Sequence, residues 1–165
     1  MVSQIASDDL VYIDETGIDN NLSSLYGWAL SGIKSFAEVL GHSTLRKTLI
    51  AGYCYGNKQL IAPMEYDGYT NTEVFTTWIK ECLCKELNPG QVVVMDNASF
   101  HKSDKVRQMI ESVGCKLLFL PPYSPDLNPI EHVWANLKAL IRRHKDRQQN
   151  LSLAIKECIC GLFVS

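Results

Sequence analysis

The sequence predicts an α/β fold in which helices pack on a mixed β-sheet. Short, neighbouring strand-like segments occupy the first third of the 165 residues, which favours antiparallel pairing there. Helix-like and strand-like segments then alternate, and the strand–helix–strand unit from Gln91 to Leu120 implies a parallel pair with a right-handed crossover. One sheet that combines both kinds of pairing accounts for the two observations.

The expected strands are short runs of apolar and β-branched residues bounded by turn-forming residues. In the first third they lie at Leu10–Asp14, Tyr26–Leu30, Thr48–Tyr55 and Gln59–Ala62. Thr16-Gly17 is expected to end the first of them, and Gly56-Asn57 to form a turn. Gln91–Met95 and Lys116–Leu120 are mostly apolar runs, as expected for strands that are buried on both faces.

The expected helices are marked by apolar residues three and four positions apart. Their stripes run from Phe75 to Leu83, from Val106 to Val113, from Ile130 to Ile141 and from Leu151 to Leu162. Thr70 with Glu73 is a candidate capping box for the first helix, and Ser103 and Asn150 are candidate caps for the second and fourth. The third helix follows a proline-rich loop, and its apolar side holds Ile130, Val133, Trp134, Leu137, Leu140 and Ile141.

Length and composition fit a single domain, residues 1–165. The apolar runs are too short to cross a bilayer and the first ten residues lack the apolar core of a signal peptide, so a cytoplasmic location is expected. The formal net charge of −2 argues against a protein that binds nucleic acid by bulk charge alone. Such binding would need a local cluster, and the only dense one is Arg142-Arg143-His144-Lys145, with Lys138 and Arg147 nearby.

Six cysteines are present, most of them within apolar helix or strand patterns, where cysteine behaves as a small buried hydrophobe. Two pairs have C-x-C spacing, which is shorter than the spacing usual in structural zinc sites. We therefore expect neither a disulfide framework nor structural zinc.

Three acidic residues form the main candidate site. Asp14 and Asp96 each follow an apolar strand, and ligands collect at the carboxyl ends of strands in parallel or mixed sheets. Glu131 lies in the first turn of the helix after the next strand, and the 34 residues between Asp96 and Glu131 are enough to return the chain to the same edge. Anions gathered next to a hydrophobic sheet are costly unless a cation neutralises them.

These residue types suit Mg²⁺, which prefers hard oxygen ligands and keeps several waters, so that phosphate oxygens can complete its shell. Two such ions about 3.5–4 Å apart can activate the attacking oxygen and stabilise the leaving oxygen of a phosphoryl transfer. Asp14, on the central strand, is the best candidate to bridge both ions, and Asp96 and Glu131 would each hold one. Glu15 should point to the other side of the strand and is not expected to be a ligand.

Ordinary structural interpretations exist for the same residues. The two aspartates could be turn or cap residues. Asn128-Pro129-Ile130-Glu131 matches an N-cap, a proline at the first helical position and a capping-box glutamate, and physical reasoning alone does not separate a cap from a ligand. Glu131, Lys138 and Arg142 share one helix face, which would suit a phosphate backbone beside a metal site but is also the pattern of a solvated face.

Three blocks of the sequence resemble a known family. They are Tyr12–Gly17 (YIDETG), Val94–His101 (VMDNASFH) and Leu120–Trp134 (LPPYSPDLNPIEHVW). They resemble the DDE domain of bacterial insertion-sequence transposases related to mariner elements. The third block is long and highly specific, and the spacing between Asp96 and Glu131 matches the same group. The resemblance covers almost the whole chain, from the region of Asp9 to that of Arg147.

The resemblance implies an RNase H-like fold with a five-stranded mixed sheet, three strands antiparallel and two parallel. It implies that Asp14, Asp96 and Glu131 bind two Mg²⁺ ions, with Mn²⁺ as a substitute. It also implies cleavage at element ends, strand transfer into target DNA at TA dinucleotides, and a homodimer in the synaptic complex.

By the same comparison, Asn97 and His101 would lie close to the metal ligands or to DNA. Lys138 and Arg142 are expected near DNA for a different reason, because they share a helix face with Glu131. From the residues alone, His101 could equally be a helix-entry residue. Tyr123 and Trp134 are expected to pack in the interior rather than contact bases.

Members of the family usually carry helix-turn-helix DNA-binding domains before this core, and here the first catalytic strand already begins at Leu10. The chain is expected to be the second reading frame of a split transposase or a shortened form of one. An N-terminal half made from an upstream reading frame would then bind the element ends, and the complex would act at the bacterial nucleoid.

Two alternatives remain open. One is another RNase H-like nuclease, which the long proline-rich third block disfavours. The other is a catalytically inactive, transposase-derived binding or dimerisation module, which the intact acidic triad disfavours.

Overall fold

A five-stranded mixed sheet forms the centre of the molecule. The computed structural model describes residues 7–19, 46–97, 103–122, 124–145 and 149–163. Its strands are β1 (Leu10–Asp19), β2 (Arg46–Cys54), β3 (Gln59–Asp67), β4 (Val92–Met95) and β5 (Lys116–Phe119), in the order β3-β2-β1-β4-β5. β2 pairs antiparallel with β1 and β3, whereas β4 pairs parallel with β1 and β5. The predicted sheet of three antiparallel and two parallel strands is confirmed.

Helices cover both faces of this sheet. They are α1 (Thr72–Trp78), which continues through the π-helical segment Ile79–Leu83 into α2 (Cys84–Glu86), then α3 (Asp104–Ser112), α4 (Ile130–Arg143) and α5 (Leu151–Phe163). Alternation along β1 sends Val11 and Ile13 into the core under α1 and α3, and Leu10 and Tyr12 into the core under α4 and α5. None of the described helices is long and apolar enough to span a bilayer.

β1 is longer than the sequence predicted. Thr16-Gly17 does not end the strand, because Thr16 pairs with Leu49, Gly17 pairs with Thr48, and the ladder continues to Asp19. Pairing with β2 therefore outweighs the local turn tendency of a Thr-Gly pair. The strand expected at Tyr26–Leu30 lies outside the described residues.

β3 also extends past its predicted end at Ala62. Ala62 has a positive φ of 49°, and the pairing register shifts between Ile50 and Gly52 on the neighbouring strand. Such an irregularity, followed directly by Pro63, is tolerated because β3 is an edge strand.

The helix starts follow local capping chemistry, with one correction. Ser103 and Asn150 cap α3 and α5 through their side-chain oxygens, as predicted. The first helix is capped by Asn71 rather than by Thr70, since Asn71 Oδ1 accepts the Val74 N–H at 2.8 Å. The Thr70 hydroxyl instead bonds the Tyr66 hydroxyl.

The apolar stripe of α4 is narrower than the sequence predicted. Ile130, Trp134, Leu137 and Ile141 are buried, whereas Leu140 is 37% exposed. Leu140 lies at the margin of the stripe, because successive helical positions turn by about 100°. The buried stripe fixes which face of α4 meets the sheet and therefore where Glu131 lies.

Candidate active site

The sheet brings the two predicted aspartates to neighbouring positions. Ile13 of β1 is the register partner of Met95, the last residue of β4. Asp14 and Asp96 each come one residue later, on parallel strands whose spacing is about 4.8 Å. Asp14 continues the alternation of Leu10 and Tyr12, so it lies on the sheet face that α4 covers.

Glu131 reaches the same region from α4. A cavity of about 370 Å³ lies between β1 and α4 and is lined by Asp14, Glu15, Thr16, Glu131, Trp134, Ala135, Lys138 and Arg142. Two of the three predicted acidic ligands therefore border one cavity together with both predicted cations. Asp96 is not among the lining residues, whereas Glu15, which was not expected to take part, is one of them.

Within the described part of the chain, no three Asp, Glu, His or Cys side chains form a group that could hold a metal ion. Asp14 and Glu131 share the cavity, and Asp96 follows the adjacent strand end. Asn97 comes directly after Asp96 and is half-buried. His101 lies outside the described residues.

The carboxyl group of Asp14 is strongly perturbed by its surroundings. Burial raises the pKa of Asp14 to about 7, and the charges of Glu131 and Glu15 act in the same direction. Hydrogen bonds from the Glu15 backbone N–H and the Trp134 side chain lower this pKa, but they offset only part of the effect. A positive charge close to such a carboxyl group would stabilise its ionised form.

The structure weakens the capping-box interpretation of Glu131. α4 begins without a side-chain cap, and the expected cap residue, Asn128, has a buried Oδ1 with no hydrogen-bond partner among the described atoms. Only the Asn128 backbone oxygen bonds the Glu131 N–H, at 3.1 Å. The capping box therefore lacks its first member.

Trp134 is the contact that sequence reasoning missed. Its indole N–H donates to Asp14 Oδ2 at 3.1 Å, across 120 positions of the chain. The sequence pattern correctly predicted Trp134 on the apolar side of α4, but it indicated only a packing role. Its position three residues after Glu131 is a usable signal, because residues three apart on a helix are neighbours.

The predicted basic cluster divides into two parts. Lys138 and Arg142 border the cavity. His144 instead pairs with Glu157 on α5, with His144 Nε2 and Glu157 Oε2 at 2.7 Å. Arg147 lies outside the described residues. The cavity thus combines acidic groups near β1 with two cations farther along α4.

Comparison with known proteins places this arrangement in a family. Residues 9–152 match the family model described as DDE superfamily endonuclease. The chain is 35% identical over 72 residues to the Transposable element Tc1 transposase of Caenorhabditis elegans, an alignment that covers 44% of this chain and 26% of that protein. The chain thus spans well under half the length of this relative.

Solved structures with low sequence identity share the fold. The Mos1 mariner paired end complex with Mn has a TM-score of 0.70 at 17% identity, covering 97% of this chain and 49% of the Mos1 chain. The catalytic core domain of BIV integrase has a TM-score of 0.57 at 11% identity, covering 94% of this chain and 83% of that domain. These likenesses confirm the RNase H-like fold. Because the family model spans most of its residues, the chain belongs to the DDE superfamily of endonucleases.

Proposed function

We propose that this chain is the catalytic core of a cut-and-paste DNA transposase of an insertion sequence. Asp14, Asp96 and Glu131 are the proposed metal ligands, and two Mg²⁺ ions, or Mn²⁺ in their place, are the proposed cofactors. One observation carries the proposal: Asp14 and Glu131 border a single cavity beside Lys138 and Arg142, in a chain of the DDE endonuclease family.

The residues at this cavity fit a divalent cation. Asp14 is partly buried and lies close to the charges of Glu131 and Glu15, and this combination holds its pKa far above the ordinary value of 3.8. A cation would relieve that cost, and carboxylate oxygens are the donors that Mg²⁺ prefers. When bound, a pair of such ions supplies charge neutralisation at the attacking and leaving oxygens of a phosphoryl transfer.

The cations on α4 have a separate role in the proposal. Lys138 and Arg142 lie about two and three turns beyond Glu131 along α4, so a DNA strand that enters the cavity passes them. Contacts of Lys and Arg with phosphate oxygens fix the position of a strand without reading its sequence. The two side chains would therefore hold the scissile phosphodiester at the carboxylates.

The proposed reaction has two stages. In the first, water attacks a phosphodiester at the element end, the P–O3′ bond breaks, and a 3′-OH is released. In the second, that 3′-OH attacks a phosphodiester of the target at a TA dinucleotide, so that the element strand is joined and a target 3′-OH leaves. Positioning and charge stabilisation dominate this kind of chemistry.

Further partners belong to the proposal. A second copy of the chain would complete the synaptic complex. An N-terminal DNA-binding half, encoded upstream, would recognise the element ends, and the chromosomal substrate puts the reaction in the bacterial cytoplasm. The match covers 26% of the Tc1 transposase and 49% of the Mos1 chain, so both proteins contain further segments that could correspond to such a half.

A nicking assay on supercoiled plasmid with Mn²⁺ or Mg²⁺ tests the proposal without requiring end recognition. Asp14→Asn, Asp96→Asn and Glu131→Gln should each lower the nicking rate at least about a hundredfold. Glu73→Gln is the matched control, because Glu73 is an exposed acidic residue on α1, on the opposite face of the sheet. It should nick at the wild-type rate, and all nicks should carry 3′-OH ends.

A second arm uses a DNA duplex with a free 3′-OH and a plasmid target. Joined products support a transposase. Nicking without joining supports another RNase H-like nuclease, and DNA binding without nicking in either metal supports an inactive binding module. Nicking that survives all three substitutions would show that another site performs the cleavage.

A further inference from the structure

Trp134 connects helix α4 to the carboxylate of Asp14 on strand β1. Trp134 is 2% exposed and belongs to the hydrophobic core between the sheet and helices α4 and α5. Its indole N–H, the only polar group of the side chain, donates to Asp14 Oδ2 at 3.1 Å. A large ring held by the core on its apolar surface cannot easily reorient, so the direction of its N–H is fixed.

The bond leaves Asp14 able to bind other groups. A carboxylate offers about four lone-pair positions. Asp14 uses one for the Trp134 N–H and another for the Glu15 backbone N–H. Two donors therefore hold the carboxylate in one orientation while it lines the cavity, and no other donor from the described residues occupies its remaining lone pairs.

The same helix turn positions both acidic groups. Trp134 follows Glu131 by three residues on α4, so the two side chains are neighbours on the helix. Any shift of α4 that moves Glu131 also moves the indole that holds Asp14. The hydrogen bond thus couples the Asp14 carboxylate on β1 to the helix that carries Glu131.

We propose that Trp134 is a positioning residue for Asp14: its indole N–H orients the carboxylate toward the cavity in register with Glu131, so that a divalent cation meets a preformed pair of ligands. The proposal rests on the proposed function of this cavity. Hydrogen-bond partners of metal-binding carboxylates act in this way, and their loss lowers metal affinity about 10–100-fold.

The chain offers a matched control for the experiment. Trp78 is fully buried in the core on the opposite sheet face, and its indole N–H donates to the Ala62 backbone oxygen at 2.8 Å. Trp78→Phe therefore also removes a buried indole and its N–H hydrogen bond, but the acceptor of that bond is a backbone oxygen and not a carboxylate.

The test measures the Mn²⁺ affinity of the 165-residue chain by calorimetry and the Mn²⁺ concentration that gives half-maximal plasmid nicking. In Trp134→Phe the Mn²⁺ dissociation constant and the Mn²⁺ concentration for half-maximal nicking should each rise at least about tenfold. Saturating Mn²⁺ should restore much of the nicking rate. In Trp78→Phe both should stay within about twofold of wild type. Mn²⁺ should also quench tryptophan emission in the wild type and in Trp78→Phe, but much less in Trp134→Phe.

A second variant separates the N–H from the packing of the ring. Replacement of Trp134 by β-(3-benzothienyl)alanine keeps the ring size and substitutes sulfur for the N–H, so it should reproduce the loss of affinity even if Trp134→Phe is poorly folded. Wild-type affinity in this variant would overturn the proposal and leave the proposed function intact. If the wild type and Trp78→Phe neither bind Mn²⁺ nor nick DNA, the proposed function fails, and the positioning role fails with it.

Discussion

Asp14 is the residue on which the site depends most, because its surroundings favour the neutral form unless a cation is present. Burial is the largest cause of its raised pKa, and the negative charge of Glu131 adds to it. The Glu15 backbone N–H and the Trp134 indole act against this but leave the pKa at about 7. A group of this kind is neutral or half-ionised near neutral pH, and binding of a cation would release its proton.

This leads to a prediction on pH. Because the pKa of Asp14 is higher in the folded chain than the 3.8 of the free group, the folded state binds the proton more tightly. The stability that the proton contributes is present at low pH and is lost as pH rises through about 7. In EDTA, the free energy of unfolding should therefore fall between pH 5 and pH 8, by at most about 3 kcal/mol, with most of the loss below pH 7.

Urea denaturation at several pH values measures this slope. Asp14→Asn is the control, because an amide does not titrate, and its stability should vary much less over the same range. Equal slopes in the two proteins would show that Asp14 does not carry the effect.

At the scale of the element, α4 links the hydrophobic core to the site. Its buried stripe includes Trp134 and Leu137, and its first turn carries Glu131. Stability and site geometry therefore depend on the same face of one helix. A change that loosens this face should disturb the relation between Glu131 and β1 even when it lies far from the cavity.

Two leucines of α4 test which face is buried. Leu137 is fully buried and Leu140 is 37% exposed, although the sequence pattern placed both on the apolar side. Leu137→Ala should lower the free energy of unfolding by about 3 kcal/mol, since it leaves a cavity in the core. Leu140→Ala should cost less than about 1 kcal/mol. Urea denaturation in EDTA measures both, and similar losses would mean that α4 is rotated from the position described.

Elements with local signals were predictable from the sequence. Ser103 caps α3 and Asn150 caps α5 because each side chain bonds an N–H three residues away. Gly114, after α3, has a φ of +80°, which favours glycine. The continuation of β1 past Gly17 was not predictable, since it depends on pairing with a strand that lies about 30 residues away in sequence.

The candidate site was predictable only in part, for a related reason. Strand ends and helix spacing led to Asp14, Asp96 and Glu131 as candidates. The same pattern showed Trp134 only as a member of an apolar stripe, because periodicity predicts burial and not the partner of a polar atom inside the core. The bond from Trp134 to Asp14 depends on how α4 crosses β1, which only the folded chain specifies.

At the scale of the whole molecule, the topology gathers three distant segments. β1 lies at the centre of the sheet, β4 pairs beside it in parallel, and α4 packs over it. Asp14, Asp96 and Glu131 each belong to one of these elements or follow it directly. A cation bound by all three would therefore link three segments that are far apart in sequence, and its binding free energy would add to the stability of the fold.

Metal binding should consequently raise the thermal stability of the whole domain. At an Mn²⁺ concentration about ten times its dissociation constant, the free energy of unfolding should rise by about 1.4 kcal/mol, which corresponds to an increase in Tm of about 3–6 °C for a domain of this size. The increase should be larger at pH 8 than at pH 6, because a proton on Asp14 competes with the cation. Differential scanning calorimetry with Mn²⁺ and with EDTA measures the shift. Glu73→Gln should retain it, and Asp14→Asn, Asp96→Asn and Glu131→Gln should each lose most of it. A full shift in Asp96→Asn would remove Asp96 from the proposed ligand set, because the cation would then be held without the segment that follows β4.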